Sequence, residues 1–198
     1  MATQMAPPQA KSFTQVVLSG FGGQGVIMAG EILGRAVAVE EGRNAVMAQS
    51  YGPESRGGAC KTEVILADGD ISYPRVVTPD IVVVLSQEAY RQHGLTRPAA
   101  ALLIAEEDLV KLDEEVEKGR KVLKVPATRL AEGLGRRIVL NIVMLGYFCG
   151  ATQVASAGAL KKAIADSVPK GTEELNLKAF DAGYAHAKAQ TGNGKGGA

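Results

Sequence analysis

The sequence contains no tryptophan, and its Phe and Tyr residues together make up only 5% of 198 residues. Aromatic side chains supply the stacking surfaces on which single-stranded nucleic acids bind, so their scarcity argues against that function. The net charge of +1 argues against it too, because nucleic-acid-binding proteins normally carry a basic face. No apolar run reaches the ~20 residues that span a bilayer. We therefore expect no nucleic-acid partner and no membrane partner.

Cysteine and histidine are also scarce, with two of each. Cys60 and Cys149 lie far apart and form no Cys-x-x-Cys pair, so this chain alone is not expected to ligate an iron–sulfur cluster or a structural zinc. Both are expected to be small buried apolar residues. His93 and His186 have no partners at metal-ligand spacing. The sequence therefore predicts neither a metal site nor a catalytic residue.

The overall composition is that of a globular protein, with 46% hydrophobic and 22% charged residues. Residues 13–189 are predicted to form a single domain. Residues 1–12 contain Pro7 and Pro8 and are predicted to be a flexible tail, and the Gly- and Lys-rich residues 190–198 a disordered one. The first residues lack the apolar core of a secretory signal, so we expect a cytoplasmic protein.

A glycine-rich turn is the first clear motif. The β-branched run from Val16 leads into Gly20-Phe21-Gly22-Gly23-Gln24-Gly25, and a helix-period stretch follows from Val26. The glycines fit the G-x-G-x-x-G spacing of a strand–turn–helix unit that binds anions at the helix N-terminus. Gly22, Gly23, Gln24 and Gly25 are therefore candidate ligand-contacting residues. The alternative is a tight turn with no ligand.

A conventional NAD site is not supported by the residues that follow. Such a site places Asp or Glu near the end of the second strand, where it holds the ribose hydroxyls. Gln49 and Ser50 stand at that place in this sequence. The glycine spacing therefore predicts an anion site without predicting a dinucleotide.

A second loop, residues 50–58, is rich in Gly, Pro and Ser and follows a predicted strand. It is expected at the carboxyl edge of the sheet, beside the glycine turn, where ligands bind in open α/β sheets. Ser55, Arg56, Gly57 and Gly58 are therefore candidate site residues. Arg56 is interpreted as a clamp for a phosphate or carboxylate, or as a contact to a neighbouring subunit. The alternative is an ordinary surface arginine.

The apolar pattern predicts an α/β, Rossmann-like fold with a mainly parallel sheet. Strands are expected near 15–19, 44–48, 81–85, 100–104 and 121–125, with an appended β-hairpin at about 61–73. The C-terminal third is expected to be helical. Its most apolar helix, near 137–149, is predicted to be a subunit contact surface together with the 50–58 loop. Asn141 within that helix needs a hydrogen-bond partner if it is buried.

Several motifs, taken in order, resemble the γ subunits of thiamine-dependent 2-oxoacid:ferredoxin oxidoreductases. They are the glycine turn at 20–25, Tyr51-Gly52-Pro53-Glu54-Ser55-Arg56-Gly57-Gly58, Ile71-Ser72-Tyr73-Pro74 with Pro79-Asp80, Asn141 with Gly146, and Asn176 with Ala179-Phe180 and Gly183. The resemblance covers nearly all of residues 13–186.

The resemblance implies a multi-subunit enzyme that oxidatively decarboxylates a 2-oxoacid to an acyl-CoA and passes electrons to ferredoxin or a similar acceptor. Thiamine diphosphate, Mg²⁺ and iron–sulfur clusters would reside in partner subunits, with CoA as a co-substrate. This chain is then expected to help form the CoA or substrate cleft. Two alternatives remain open: a stand-alone Rossmann-like binder of a nucleotide or CoA, and a purely structural assembly subunit.

Overall fold

A six-stranded sheet with helices on both faces organises the computed structural model, which describes residues 13–51 and 59–193. The predicted tail at residues 1–12 lies outside the described residues. The strands are β1 (Phe13–Phe21), β2 (Asn44–Tyr51), β3 (Ala59–Ala67), β4 (Ile81–Val84), β5 (Leu102–Glu106) and β6 (Val122–Val125). The α-helices are α1 (Val26–Arg35), α2 (Gln87–Ala89), α3 (Glu114–Gly119), α4 (Ala127–Gly133), α5 (Leu140–Thr152), α6 (Ala157–Ser167) and α7 (Glu173–Asn193).

The strand order across the sheet is β2-β3-β1-β4-β5-β6. Strands β1, β4, β5 and β6 run parallel to one another, whereas β3 is antiparallel to both of its neighbours. The predicted α/β class and mainly parallel sheet are confirmed. All five strands predicted outside the hairpin are present, with their ends shifted by a few residues.

The predicted hairpin at 61–73 is wrong. Its first half is β3, but residues 70–73 form no strand, and β3 instead pairs along its whole length with β1 on one side and β2 on the other. The physical reason is burial on both faces: Val64 and Ile65 are 0% and 5% exposed, so β3 belongs inside the sheet rather than on an appended arm. Ser50 and Tyr51 of the predicted 50–58 loop belong to β2, and the residues that connect β2 to β3 lie outside the described residues.

The two faces of the sheet are covered differently. Along β1, Val16 and Leu18 join the larger core with α1, α4, α5, α6 and α7, and we call this side the helical face. Val17 points the opposite way, into a smaller core with α2, α3 and the π-helical turn Tyr90–Gly94, and we call this side the loop face. The residues between β3 and β4 run over the loop face, where the side-chain oxygen of Gln15 accepts the N–H of Val77 at 2.7 Å.

Helix α5 occupies the centre of the helical face, and Leu140 to Gly150 are all buried. It packs directly on α7, where Gly146 and Gly183 let the two backbones touch: a Cβ on either would overlap a carbonyl oxygen of the other helix. The apolar character of residues 139–149 is thus satisfied inside this chain. The prediction that this helix is a subunit contact surface is therefore wrong for these buried residues.

Helix α7 continues to Asn193, four residues into the segment for which composition predicts disorder, and the remainder of that segment lies outside the described residues. Among the described residues, no helix combines the length and apolarity that a bilayer crossing requires.

Candidate functional site at the glycine turn

Gln24 holds the glycine turn in place. Its side-chain oxygen accepts the N–H of Phe21 at 2.7 Å, and its side-chain amide donates to the carbonyl of Leu85 at 2.8 Å. Because Leu85 follows β4, this one side chain ties the end of β1 to the end of the neighbouring strand. Both ends of the amide are occupied within the chain, and Gln24 positions the turn rather than facing the adjoining cavity.

Gly25 sets the start of α1. Its φ of 70° lies in the left-handed region, and a Cβ there would overlap the side chain of Asn141. Its carbonyl accepts the first hydrogen bond of α1, from Ala29 at 2.9 Å, and a second one from Nδ2 of Asn141 at 3.2 Å. The partner that buried Asn141 requires is therefore the glycine turn itself.

The first turn of α1 leaves its backbone N–H groups without a side-chain partner. It has no side-chain cap and no acidic residue, so its backbone N–H groups have no competing carboxylate. Val26, Ile27 and Met28 line a cavity at this point. The partial positive charge of the helix end favours an anionic group there.

The cavity beside this helix end has a volume of about 630 Å³, within the range of small-molecule sites. Its walls combine the glycine turn with residues from the segment before α5 and from the start of α7. Arg136 is the one charged side chain among its described lining residues, and Ile138, 76% exposed, lies at the same wall. The lining residues are Gly22, Gly23, Gly25, Val26, Ile27, Met28, Cys60, Arg136, Ile138, Val139, Asn141, Val168, Pro169, Gly171, Thr172, Leu175 and Asn176.

On the wall formed by the start of α7, the polar side chain of Asn176 is fixed by hydrogen bonds to the preceding helical turn. The side-chain amide of Asn176 donates to the carbonyl of Thr172 at 2.9 Å and to its hydroxyl at 3.2 Å, which orders the first turn of α7. Asn141 and Asn176 thus present oriented amides in a mostly apolar cavity, the arrangement that typically fixes a ligand's orientation.

The second predicted loop meets the sheet beside the glycine turn. Ser55, Arg56, Gly57 and Gly58 lie outside the described residues, but both flanking strands are described. Ala59 is paired with Phe21, the last residue before the turn, and Tyr51 is paired with Cys60, which lines the cavity. The loop therefore starts and ends at the edge where the glycine turn lies.

Cys60 is the cysteine among the described lining residues. Burial raises the pKa of the Cys60 thiol, which keeps it protonated and weakly nucleophilic. Within residues 13–51 and 59–193, no three His, Cys, Asp or Glu side chains gather closely enough to hold a metal ion.

Of the residues predicted from the sequence, Gly22, Gly23 and Gly25 are brought to the cavity, whereas Gln24 braces them from behind. Sequence reasoning missed Arg136, Thr172 and the 168–171 turn. In the sequence, only their closeness to Asn141 and Asn176 indicates them. The glycine turn and this opposite wall of the cavity are more than a hundred residues apart along the chain, so no local pattern connects them.

The mainly parallel sheet, with left-handed Gly25 at the start of α1 and an apolar cavity beside the glycine turn, defines a Rossmann-like α/β protein. The model of the family described as pyruvate ferredoxin/flavodoxin oxidoreductase matches residues 15–186. The chain belongs to this family.

Two relatives place the chain among the γ subunits of the family. It is 49% identical to the 2-oxoglutarate synthase subunit KorC of Methanocaldococcus jannaschii, over 91% of this chain and 97% of that protein. A crystal structure of the keto/oxoacid ferredoxin oxidoreductase γ subunit from Geobacter sulfurreducens is 38% identical, with a TM-score of 0.79 over 89% of this chain and 97% of that one.

A third relative contains the same fold within a longer chain. The 2-oxoglutarate:ferredoxin oxidoreductase from Magnetococcus marinus, solved with 2-oxoglutarate, coenzyme A and succinyl-CoA, gives a TM-score of 0.83 over 91% of this chain. The match covers 32% of that chain at 23% identity, so it bears on the fold alone.

Proposed function

We propose that this chain is the γ subunit of a cytoplasmic complex that oxidatively decarboxylates 2-oxoglutarate to succinyl-CoA and passes two electrons to ferredoxin. The similarity to KorC over nearly the full length of both chains carries the choice of substrate. Thiamine diphosphate, held with Mg²⁺ and iron–sulfur clusters by partner subunits, supplies the carbanion chemistry. This chain positions CoA and completes the cleft.

The cavity beside α1 is the proposed wall of the CoA cleft. CoA carries phosphates and a long arm that is largely apolar apart from two amides. The open N–H groups at the start of α1 and the Arg136 guanidinium suit the phosphates, and the apolar lining with oriented Asn141 and Asn176 amides suits the arm. The single observation that carries this assignment is the 630 Å³ cavity directly at the uncapped start of α1.

Two adjacent arginines provide a matched test of the cleft. Both side chains are exposed, but Arg136 lines the cavity and Arg137 does not. In the assembled complex, Arg136→Ala is expected to lower kcat/KM for CoA about tenfold, because hydrogen bonds to charged groups contribute about 1.5–3 kcal/mol. Arg137→Ala removes the same charge and is expected to stay within about twofold. Equal effects of the two variants would contradict the CoA assignment.

The loop arginine provides a second test. Arg56→Ala should lower kcat/KM for CoA or the 2-oxoacid by about ten- to a hundredfold with the complex intact, and lysine should rescue only part, since it lacks the planar fork. Light scattering on the same preparations checks assembly. Normal assembly with kinetics within twofold would reject the clamp, and a complex that falls apart would make Arg56 an interface residue.

The substrate is tested separately, with the whole complex, CoA and a panel of 2-oxoacids. Acyl-CoA formation is expected to be fastest with 2-oxoglutarate. A preference for pyruvate or a branched-chain 2-oxoacid would overturn the substrate and leave the cleft assignment standing. CoA binding by this chain alone, without thiamine- or iron-containing partners after purification from its source, would favour the stand-alone binder.

A further inference from the structure

The two edges of the sheet differ in how they are protected. The edge strand β6 is short, contains Lys124 and ends before Pro126, and the carbonyl of Lys124 accepts a hydrogen bond from the side-chain amide of Gln190 at 3.2 Å. Natural proteins protect edge strands in these ways, with short length, charge, proline and covering side chains.

The opposite edge, β2, has none of these protections. It is eight residues long and contains no charged residue and no proline. It pairs with β3 residue by residue from Asn44↔Ala67 to Tyr51↔Cys60, so no bulge twists it away. Within residues 13–51 and 59–193, no strand pairs with its outer side.

The hydrogen-bonding direction within the sheet identifies the free groups of β2. The carbonyls of Gln15 and Ser19 accept hydrogen bonds from Asp80 and Leu85, on the β4 side of β1. Successive residues of a strand direct their N–H and C=O groups to opposite sides, so the even-numbered residues of β1 bond to β3. Their partners in β3 are also even-numbered. The odd-numbered residues of β3 therefore bond to β2.

The residues of β2 that bond to β3 are therefore the even-numbered ones, which face odd-numbered partners in the register. The Ala48 carbonyl accordingly lies on the β3 side, where it also accepts from the Thr62 hydroxyl at 3.5 Å. Ala45, Met47 and Gln49 then direct their N–H and C=O groups outward, as a row of three donors and three acceptors.

From this edge we infer that β2 pairs antiparallel with β2 of a second copy of this chain, about a two-fold axis at Met47. On either side of Met47, two of the three facing pairs match in polarity. Val46 faces Ala48 of the second copy, Ala45 faces Gln49, and Asn44 faces Ser50. The strand contains no Asp, Glu, Lys, Arg or His, so two copies meet without like-charge repulsion at neutral pH.

Apolar surface on the helical face extends the contact beyond the backbone. Met47 is half-buried against the larger core, and the two Met47 side chains would meet on the helical face. The π-helical turn Ala36–Glu40 packs on β2 and contains Val39, which is 64% exposed. The paired sheets form one sheet of twelve strands, a size found in large α/β enzymes.

The test is a cysteine pair with a matched control, in the full-length chain. In the proposed register the two Met47 residues form a hydrogen-bonded pair with Cα atoms about 5.5 Å apart, which suits a disulfide. Met47→Cys should therefore give a covalent dimer on mild oxidation. The control is Gln49→Cys, whose introduced thiols would lie about 13 Å apart along the strands. The natural Cys60 and Cys149 are buried, so they give little background.

Hydrogen exchange on the unsubstituted chain makes the test independent of any variant. The amides of Ala45, Met47 and Gln49 should be protected at high protein concentration and exchange faster on dilution. Equal cross-linking of the two cysteine variants, or a monomer with unprotected amides at every concentration, overturns the inference. Protection of these amides only in the complex with other subunits also overturns the inference, because a partner subunit would then cover the edge. Loss of protection when residues 1–12 are deleted overturns it too, because the tail would then cover the edge.

Discussion

The helical face and the loop face of the sheet are held by different interactions. On the helical face, α5 and α7 touch backbone to backbone at Gly146 and Gly183, with no space for a further methyl group. On the loop face, the cover consists of short helices and an irregular segment, fixed by polar anchors such as the Gln15 side chain on Val77. Close packing tolerates no added atom, whereas a polar anchor costs about one hydrogen bond when it is lost.

The largest loss of stability is expected for a substitution on the helical face. A Cβ on Gly183 would overlap the carbonyl oxygen of Val143, so Gly183→Ala must push α7 off α5. We expect a loss of about 3 kcal/mol in the free energy of unfolding, measured by urea denaturation. The matched control is Gly34→Ala in α1, where a Cβ meets nothing within 4 Å. It should be neutral or stabilise by up to about 1 kcal/mol. Similar losses in both variants would contradict the close-contact explanation.

The next effect is alkaline destabilisation of the same face. Burial raises the pKa of Tyr147 from 10.0 to about 12, and that of Cys149 from 9.0 to about 11. Since both groups bind protons more tightly in the folded state, the stability they support is present below the unfolded pKa values and is lost as pH rises through the folded ones. At about 1.4 kcal/mol per pH unit between the two pKa values, ionisation of Tyr147 alone lowers the free energy of unfolding by about 2 kcal/mol at pH 12, where the folded phenol is half ionised.

The Tyr147→Phe variant isolates the part of this stability loss that comes from ionisation of the Tyr147 phenol. It removes the phenol and its hydrogen bond to Gln190, so it should weaken the chain slightly at neutral pH. Between pH 10 and 12, its free energy of unfolding should fall less steeply than that of the unsubstituted chain. Parallel pH profiles for the two proteins would show that the phenol is not protected from ionisation in the folded state.

Much of the fold was predictable because it depends on local periodicity. The continuous apolar run at 81–85 predicts a strand buried on both faces, and β4 is one. The position of β3 was not predictable in this way, since alternation identifies a strand but not its neighbours. The apolar helix near 137–149 similarly predicts burial without naming what covers it, and the covering element is α7 of the same chain.

Of the candidate site, only the glycine turn and its contact with Asn141 were predictable from the sequence. Gly25 follows from the spacing of the turn, and the amide in an otherwise apolar helix indicates that Asn141 bonds to something nearby. Arg136 and Thr172 reach the cavity only because α5 packs against both α1 and α7. No local pattern encodes a wall assembled from segments so far apart in the chain.

On the loop face, a polar anchor gives a smaller expected effect. Gln15→Ala leaves the N–H of Val77 without its 2.7 Å acceptor, so about 1–2 kcal/mol of stability should be lost. The amides of Val77 and Thr78 should exchange faster, while those of α5 change only in proportion to global stability. Gln92→Ala, which removes an exposed amide bonded to Glu88, is the control and should be close to neutral. Unchanged exchange at Val77 would rule out Gln15 as the anchor of this segment.

The smallest effect is expected at the most exposed helix of the loop face, α3. Lys118 and Glu114 form a salt bridge of 3.0 Å one helical turn apart, with side chains 79% and 84% exposed. Exposed pairs at this spacing contribute only about 0.3–0.5 kcal/mol, because water and salt screen the charges. A double-mutant cycle of Lys118→Ala and Glu114→Ala should therefore give a coupling of that size at low salt and almost none at 1 M salt. A coupling above about 1 kcal/mol would mean that α3 is ordered by its surface charges rather than by Val116, its buried contact to the sheet.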